Sequence, residues 1–287
     1  MMDEIKISLR FFDGIPVRSV WDDVSSKWFM CASDVCAAIT DTKNPRVYWA
    51  TVKRRNFQLF ANCKQLKMKT NDGKSRSVDV IGEKELNSLF ALVKSDKKRV
   101  FKEWLESLGS SVDEKSKIRA YELFESGFIR NIEVGTVRGL QQIHAYIFDG
   151  LYDFAGQIRT KNISKKGFAF ASALYLRQTL ETVEKMPEDS LENIVDKYIE
   201  MNVAHPFLEG NGRSTRIWLD MILKKNLGVC VDWSLIEKKD YLSAMEKSPL
   251  DGTPIFRLIK NALTDRINDR ELFIKGIDYS YYYETEE

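Results

Sequence analysis

The chain contains the stretch His205-Pro-Phe-Leu-Glu-Gly-Asn-Gly-Arg-Ser-Thr-Arg216. A helical pattern over 194–203 precedes it, and Pro206 disfavours the α conformation at the residue before it. His205 is therefore predicted at the end of that helix, rigidly held and exposed. Two glycines near the middle of the stretch allow a sharp turn that presents backbone N–H groups to a ligand. The next helix is predicted to begin at about Arg213.

The charged residues of this stretch suggest a phosphate site. Arg213 and Arg216 lie three residues apart in the first turn of a helix, where the macrodipole is already positive, so an anion is needed to offset them. Glu209 would suit a Mg²⁺ that bridges phosphates. His205 would then be the base for attack of a hydroxyl on phosphorus. The residues alone do not identify which group is transferred to the hydroxyl. The alternative interpretation is purely structural, with His205 as a helix-end cap and the glycines as a turn.

Helical patterns dominate the chain from Asp113 onward. They cover residues 115–126, 133–150, 170–186, 190–204, 213–226, 234–246, 253–266 and 269–284. The interruption at 156–170 has alternating apolar residues around turn residues, which predicts a β-hairpin flap. His144 falls on an apolar helix face and is predicted to be a packing residue or satisfied core histidine.

Short β-type runs characterise the N-terminal part, and they are Ile5–Leu9, Val17–Trp21, Trp28–Met30 and Val78–Ile81. Helices are predicted from Ser33 to Ala38 and within 83–108. The predicted fold class is α+β overall, with a small α+β domain followed by an all-α helical bundle that carries one β-hairpin flap. The domains are predicted at 1–110 and 111–287.

Charge is distributed unevenly along the chain. Residues 1–112 carry 20 Lys+Arg against 14 Asp+Glu, and residues 113–287 carry 24 against 28. Residues 51–70 hold six basic residues and no acid, which indicates either a phosphate-binding patch or a solvated strand-and-loop face. Four cysteines and two histidines lack zinc-like spacing. With no membrane-length apolar segment, a cytoplasmic protein is expected.

The stretch His205–Arg216 resembles, without a gap, the signature His-x-Phe-x-Asp/Glu-Gly-Asn-Gly-Arg-x-x-Arg of the Fic family. The segments 150–159, 162–164 and 214–220 are similar too, so the resemblance spans Asp113 to the C-terminus. It implies a protein adenylyltransferase that moves AMP from ATP to a protein hydroxyl with Mg²⁺. The implied roles are His205 as base, Phe207 as core anchor, Glu209 as Mg²⁺ ligand, Gly210, Asn211 and Gly212 as the α-phosphate cradle, Arg213 on pyrophosphate and Arg216 on the γ-phosphate.

Two further features follow from the resemblance. Family members with Lys at the position of Gly212 act as kinases, so Gly212 favours AMP transfer. The flap would dock the target segment by strand addition, and the alternative is a plain hairpin that covers the bundle. The candidate docking residues are Ile158, Arg159, Lys161, Asn162 and Ile163.

The C-terminal helix, at about 269–287, resembles the family's inhibitory helix. Ser280 and Glu284 lie four apart on one face, as in the motif Ser/Thr-x-x-x-Glu-Gly/Asn. The resemblance implies that Glu284 pairs with Arg216 in the γ-phosphate site; the chain departs from the motif at Thr285. The alternative is an acidic tail with three exposed tyrosines at 281–283, which are also candidate self-modification sites.

Residues 4–108 resemble the Bro-N domain of phage and viral antirepressors. The resemblance rests on Trp28-Phe29, Ala32-Ser-Asp-Val35, Val80-Ile81 and Lys94-Ser-Asp-Lys-Lys-Arg-Val-Phe-Lys-Glu-Trp104. It implies contact with DNA or a regulator through residues 1–110. Two functions therefore compete with AMP transfer. One is a DNA- or regulator-binding protein with a nucleotide-sensing Fic half, and the other is an enzyme that removes AMP. The resemblance to the Fic family also suggests a type II topoisomerase ATPase subunit as the target of AMP transfer.

Overall fold

The computed structural model describes residues 7–22, 27–69, 75–107, 111–165 and 167–285. The chain divides into two compact units, Met1–Gly109 and Ser110–Glu286. Residues 108–110, where the domain boundary is predicted, and the first two residues of the strand predicted at Ile5–Leu9 lie outside the described residues. Within the described ranges, no helix is long and apolar enough to cross a membrane.

The N-terminal unit contains a five-stranded antiparallel sheet in the order β1-β2-β3-β5-β4. Its strands are β1 Ile7–Phe12, β2 Ile15–Asp22, β3 Lys27–Cys31, β4 Lys64–Lys69 and β5 Ser75–Ile81. In β1 the side chains alternate between buried and half-buried positions, as expected for a strand with one face on a core. The lysine-rich β4 has little apolar alternation, and sequence patterns did not identify it.

Five helices complete this unit, and they are α1 Ala32–Ile39, α2 Pro45–Arg55, α3 Phe57–Phe60, α4 Glu83–Leu92 and α5 Lys97–Ser107. Helix α2 begins where the Asn44 side chain accepts a hydrogen bond from the Val47 backbone N–H and Pro45 supplies the first residue. The expectation of a strand-and-loop face over 51–70 is thus wrong for its first ten residues, which are helical or adjoin a helix.

The C-terminal unit is a helical bundle, which together with the N-terminal sheet confirms the predicted α+β class. Its helices are α6 Val112–Glu125, α7 Val137–Phe148, α8 Leu176–Glu184, α9 Leu191–Ala204, α10 Asn211–Leu227, α11 Lys238–Lys247, α12 Thr253–Asn261 and α13 Arg270–Tyr282. Two 3-10 turns occur at Phe128–Asn131 and Trp233–Leu235. Strands β6 Ser164–Lys165 and β7 Phe168–Ala169 pair as a hairpin, much shorter than the predicted 156–170. A second pairing, between β8 Cys230–Val231 and β9 Leu263–Thr264, was not predicted.

Helix α10 lies at the centre of the bundle and packs against α7, α9 and α13. Most of its residues are buried on all sides, including Trp218, whose indole N–H donates to the Thr136 carbonyl at 3.0 Å. A helix buried all round is fixed by its neighbours. The loop that joins α9 to α10 is therefore held rigidly at both ends, and this loop carries the conspicuous stretch of the sequence.

Candidate active site

His205 ends helix α9 in the left-handed conformation, with φ 49° and ψ 65°. Its backbone N–H still donates to the Met201 carbonyl at 3.0 Å. Pro206 disfavours continuation of the helix, as the sequence predicts, and the left-handed turn redirects the chain. Few residues other than glycine adopt this conformation without strain, so the surrounding contacts must hold it.

The His205 ring is oriented as a base. Its Nδ1 lies 3.1 Å from the Asn202 carbonyl oxygen. Because a carbonyl only accepts, the proton of the neutral ring lies on Nδ1 and the lone pair on Nε2. The ring stacks on Phe170 at 3.7 Å between centroids, and burial lowers the His205 pKa from 6.5 to about 4. The prediction of an exposed imidazole is wrong, since Phe170 half-buries it.

His144 holds the loop after His205 in place. The His144 Nδ1 accepts from the Gly156 backbone N–H at 2.9 Å, so its Nε2–H donates to the Glu209 carbonyl, also at 2.9 Å. The ring stacks on Phe207, with centroids 3.8 Å apart. His144 is therefore a satisfied core histidine, as predicted, and Phe207 is fully buried as the expected anchor.

Gly210 and Asn211 shape the turn into α10. Gly210 has φ 81°, and a Cβ there would lie 2.4 Å from the Phe148 ring, so neither the conformation nor the space admits a side chain. The Asn211 amide accepts from the Phe207 N–H and donates to the Phe207 carbonyl, both at 2.8 Å. The Asn211 side chain therefore ties the loop to itself.

Arg213 is 3% exposed and lies between two carboxylates. One terminal nitrogen pairs with Asp113 and the other with Glu209 Oε1 at 2.8 Å. The guanidinium also lies over the Phe148 ring, 5.0 Å from its centroid. The Nε of Arg213 is buried without a hydrogen-bond partner in the described structure. An unsatisfied donor of this kind suits a site that binds an anion.

Arg216 is 2% exposed, and the C-terminal segment surrounds it. Its Nε donates to the Ser280 hydroxyl at 2.7 Å, and its Nη2 donates to the Ser280 carbonyl at 2.7 Å and to Glu284 Oε1 at 2.6 Å. Its Nη1 donates to the Tyr241 hydroxyl at 3.0 Å. Burial would raise the pKa of Glu284, but the Arg216 charge outweighs it and holds the value at about 2. The structure thus has the expected Arg216–Glu284 pair.

Gly212 faces the same carboxylate. A Cβ on Gly212 would lie 2.2 Å from Glu284 Oε1 and 3.0 Å from Arg216 Nη1. The absence of a side chain at position 212 therefore leaves room for Glu284 against the start of α10. No side chain caps this helix, so the Glu284 carboxylate lies at its positive end.

The end of α13 is a packed element. Tyr281 and Tyr283 are 6% and 2% exposed, and their hydroxyls donate to the Ser116 hydroxyl and to the Trp233 and Ile236 carbonyls. The alternative of three exposed tyrosines is therefore wrong, and these two hydroxyls are not available for self-modification. Lys238 donates to the Thr285 carbonyl at 2.7 Å and to its hydroxyl at 3.0 Å, which anchors the residue that departs from the family motif.

The five candidate docking residues differ in their contacts and in their exposure to solvent. Arg159 is 3% exposed and donates to the carbonyls of His205, Lys161, Ala171 and Ala204 at 2.5–3.0 Å. Asn162 accepts from the Ala173 N–H at 2.8 Å, and Ile158 packs against the core. Arg159 is therefore an internal clamp and not a docking residue. Lys161 is exposed and Ile163 half-buried, and both lie on the approach to the hairpin.

We expect Arg159→Lys to lower the free energy of unfolding by about 2–4 kcal/mol, because one ammonium group cannot replace a fork that satisfies four carbonyls. Chemical denaturation measures this change. The matched control is the exposed Arg177→Lys in the same region, which should shift the free energy of unfolding by less than about 0.5 kcal/mol. Equal effects of the two substitutions would contradict the clamp.

Acid should destabilise the protein through the buried His144 and the half-buried His205. Burial lowers the pKa of both His144 and His205 to about 4. Below pH 6.5 the two histidines take up protons in the unfolded chain but stay neutral in the folded chain. The free energy of unfolding therefore falls between pH 6.5 and 4. Burial raises the pKa of Asp220 to about 6, which acts in the opposite direction. The informative quantity is therefore the difference between the wild type and a variant without one histidine.

The variant His205→Asn provides that difference, since asparagine tolerates the left-handed conformation. Between pH 6.5 and 5 we expect the free energy of unfolding of the wild type to fall more steeply, by up to about 1.4 kcal/mol per pH unit. Urea denaturation at four pH values measures both slopes. Parallel slopes would show that His205 titrates alike in the folded and unfolded chains.

Sequence patterns missed several residues of this site. Asp113 lies 100 positions from Arg213, and Tyr241 lies 25 positions from Arg216. Phe170 covers His205 from the flap, and Lys165 of β6 lies 3.7 Å from Glu284 Oε2. Only Phe170 had a signal in the sequence, as a member of the apolar alternation that predicts the hairpin.

Comparison with known proteins places residues 135–223 in the Fic/DOC family model. Among curated proteins, a probable protein adenylyltransferase Fic of Escherichia coli K12 is 25% identical over 155 residues, which are 49% of this chain and 77% of that protein. Protein adenylyltransferase VbhT of Bartonella schoenbuchensis is 29% identical over 182 residues, 55% of this chain but 37% of that protein.

Solved structures that align with this chain are distantly similar to it. The BepC effector of Bartonella tribocorum, crystallised with AMPPNP, aligns with 53% of this chain and 84% of that chain at 20% identity and a TM-score of 0.46. The Fic domain of a Bartonella quintana effector with ADP aligns with 53% of this chain and 83% of that chain at 18% identity and a TM-score of 0.45.

Proposed function

Because the chain carries a Fic domain, we propose that it transfers AMP from ATP to a hydroxyl of a target protein. The observation that carries the proposal is the placement of a neutral histidine base beside the start of α10, where two buried arginines lie. The curated relatives, which are named protein adenylyltransferases, support the same activity. Buried arginines at a helix N-terminus are costly unless an anion offsets them, and triphosphate would do so.

The proposed chemistry assigns one step to each group. The Nε2 of His205 takes the proton of the target hydroxyl, whose oxygen attacks the α-phosphorus. The bond from the α-phosphorus to the bridging oxygen breaks, and pyrophosphate leaves with the negative charge. Backbone N–H groups at 210–212 hold the α-phosphate, Arg213 binds the departing pyrophosphate portion, and Arg216 binds the γ-phosphate.

We propose that Glu209 holds Mg²⁺. Its carboxylate is 58% exposed, and Mg²⁺ commonly takes one or two carboxylates together with substrate phosphates. The described residues contain no cluster of three metal-binding side chains, so the ion would depend on ATP for its remaining ligands. When bound, Mg²⁺ neutralises phosphate charge. Glu209 must first loosen its 2.8 Å contact with Arg213, which then becomes available to phosphate.

We further propose that Glu284 inhibits the enzyme at rest. Its carboxylate accepts from Arg216 where the γ-phosphate would bind, so nucleotide and Glu284 compete for one guanidinium. Both members are largely buried, and Ser280 holds the same arginine through two atoms. The proposal predicts that the Ser280–Glu284 segment is an internal ligand with an effective concentration that ATP must overcome.

The test is transfer of radioactive AMP from α-labelled ATP to proteins of a bacterial lysate by the Glu284→Gly variant, followed by identification of the labelled bands. The lysate should include a type II topoisomerase ATPase subunit, which is the proposed target class. Labelling that is equal with and without the enzyme would refute AMP transfer. Incubation with a pre-labelled target tests the alternative, removal of AMP, for which Glu284 would have to activate water.

A second candidate function concerns the N-terminal unit, for which we propose contact with DNA. Arg54 and Arg55 are exposed in the last turn of α2, and Lys67 is exposed on β4. The nearby Phe57 is 65% exposed, and basic groups interleaved with aromatic ones suit nucleic acid. A mobility-shift assay with the full chain and Arg54→Glu/Arg55→Glu tests it, and absent or salt-insensitive binding would refute it.

A further inference from the structure

The segment around the hairpin has an unusual charge. Residues 154–180 contain five basic residues and no acid, although residues 113–287 as a whole carry four more acids than bases. Lys161, Lys165 and Arg177 are exposed, and Lys166 lies outside the described residues. Because Arg159 is buried, three of the five positive charges lie on the described surface, and no carboxylate of the segment offsets them.

A groove with a volume of about 540 Å³ lies next to two of these groups. It is lined by residues 158–160 and 162 and by residues 172–174, 176 and 177, so Arg177 lines it and Lys161 lies between two lining residues. Leu174 lines it and is 79% exposed, and the neighbouring Tyr175 is 59% exposed. Large apolar side chains this exposed beside a concave surface are typical of a contact site for another chain. The groove therefore offers positive charge together with an apolar rim.

We propose that the groove binds an extended, acidic segment of the target protein, with apolar side chains against Leu174 and Tyr175 and carboxylates on Lys161 and Arg177. The inference rests on the proposed AMP transfer, because it names the class of protein segment that presents the hydroxyl.

The first test is binding, which does not depend on catalysis. Fluorescein-labelled glutamate–tyrosine copolymer and lysine–tyrosine copolymer are titrated with the full chain and followed by fluorescence anisotropy. We expect the acidic copolymer alone to bind, and Lys161→Glu/Arg177→Glu to weaken it about tenfold. Since the N-terminal unit is also basic, the matched control is Arg54→Glu/Arg55→Glu, which should change the affinity by less than twofold.

Four outcomes would overturn the proposal. They are equal binding of both copolymers, no binding of either, no effect of Lys161→Glu/Arg177→Glu, and tighter groove-dependent binding of duplex DNA than of the acidic copolymer. Addition of α-labelled ATP and Mg²⁺ separates this inference from the proposed function. Binding without AMP transfer to copolymer or lysate proteins contradicts the transfer alone, whereas transfer to both copolymers at equal rates contradicts the groove.

Discussion

Replacement of Glu284 by glycine is expected to raise the rate of AMP transfer to lysate proteins about 10- to 100-fold at limiting ATP. The carboxylate contributes a charge-assisted hydrogen bond to a buried arginine, which is worth about 1.5–3 kcal/mol, and each 1.4 kcal/mol corresponds to about a factor of ten in affinity. Removing it leaves Arg216 without its ionic partner in this structure and open to the γ-phosphate. The variant should also bind ATP more tightly by a similar factor.

Two matched variants isolate the ionic contact. Glu284→Gln keeps the shape and one hydrogen-bond acceptor but loses the charge, so it should give an intermediate rate. Glu271→Gly removes an acid from the first turn of α13, the helix that precedes Glu284, and should leave the rate within about twofold. Rates of labelled AMP incorporation measure all three. If Glu284→Gly and wild type incorporate AMP equally, the proposed inhibition is wrong.

Local sequence predicted those parts of the site that lie close together along the chain. A histidine before proline, a glycine turn and two arginines fall within one loop, so their proximity follows from the chain itself. Ser280 lies in the last turn of α13 and Glu284 in the turn that follows the helix end at Tyr282, so helical spacing gives their relative position only in part. The pairing of Glu284 with Arg216 spans 68 positions, and only the family resemblance could anticipate it, because periodicity carries no information on which helices meet.

The features that sequence could not predict depend on tertiary packing. The alternation Ile158, Ile163, Phe168 and Phe170 predicted a long hairpin, but only 164–165 and 168–169 pair as strands. The start of the segment instead binds the end of α9, because Arg159 donates to the carbonyls of Ala204 and His205. Tyrosines such as Tyr281 and Tyr283 can be exposed or buried, and contacts with residues far along the chain decide which of the two occurs. The two hydrogen bonds between the Asn211 side-chain amide and the Phe207 backbone are a further contact that the sequence did not predict.

Removal of the His205 imidazole is expected to have the largest effect on catalysis. In the Glu284→Gly background, His205→Asn should lower kcat/KM for AMP transfer by about 100- to 10,000-fold, the range for loss of a general base. The affinity for ATP should stay within about threefold, because the proposed phosphate contacts come from α10 and from the glycine turn. Isothermal titration with ATP and incorporation of labelled AMP separate these two quantities.

The asparagine variant separates the catalytic role of the His205 side chain from the effect of position 205 on stability. His205 has φ 49°, where asparagine is tolerated and alanine is strained by about 1–2 kcal/mol. His205→Ala should therefore lose the same activity but melt several degrees lower than His205→Asn. If the asparagine variant kept its activity, or if ATP affinity fell as far as kcat/KM in both variants, His205 would be a structural cap of α9 and not the base. A common loss of transfer with unequal melting temperatures assigns the chemistry to the His205 imidazole rather than to its role in the fold.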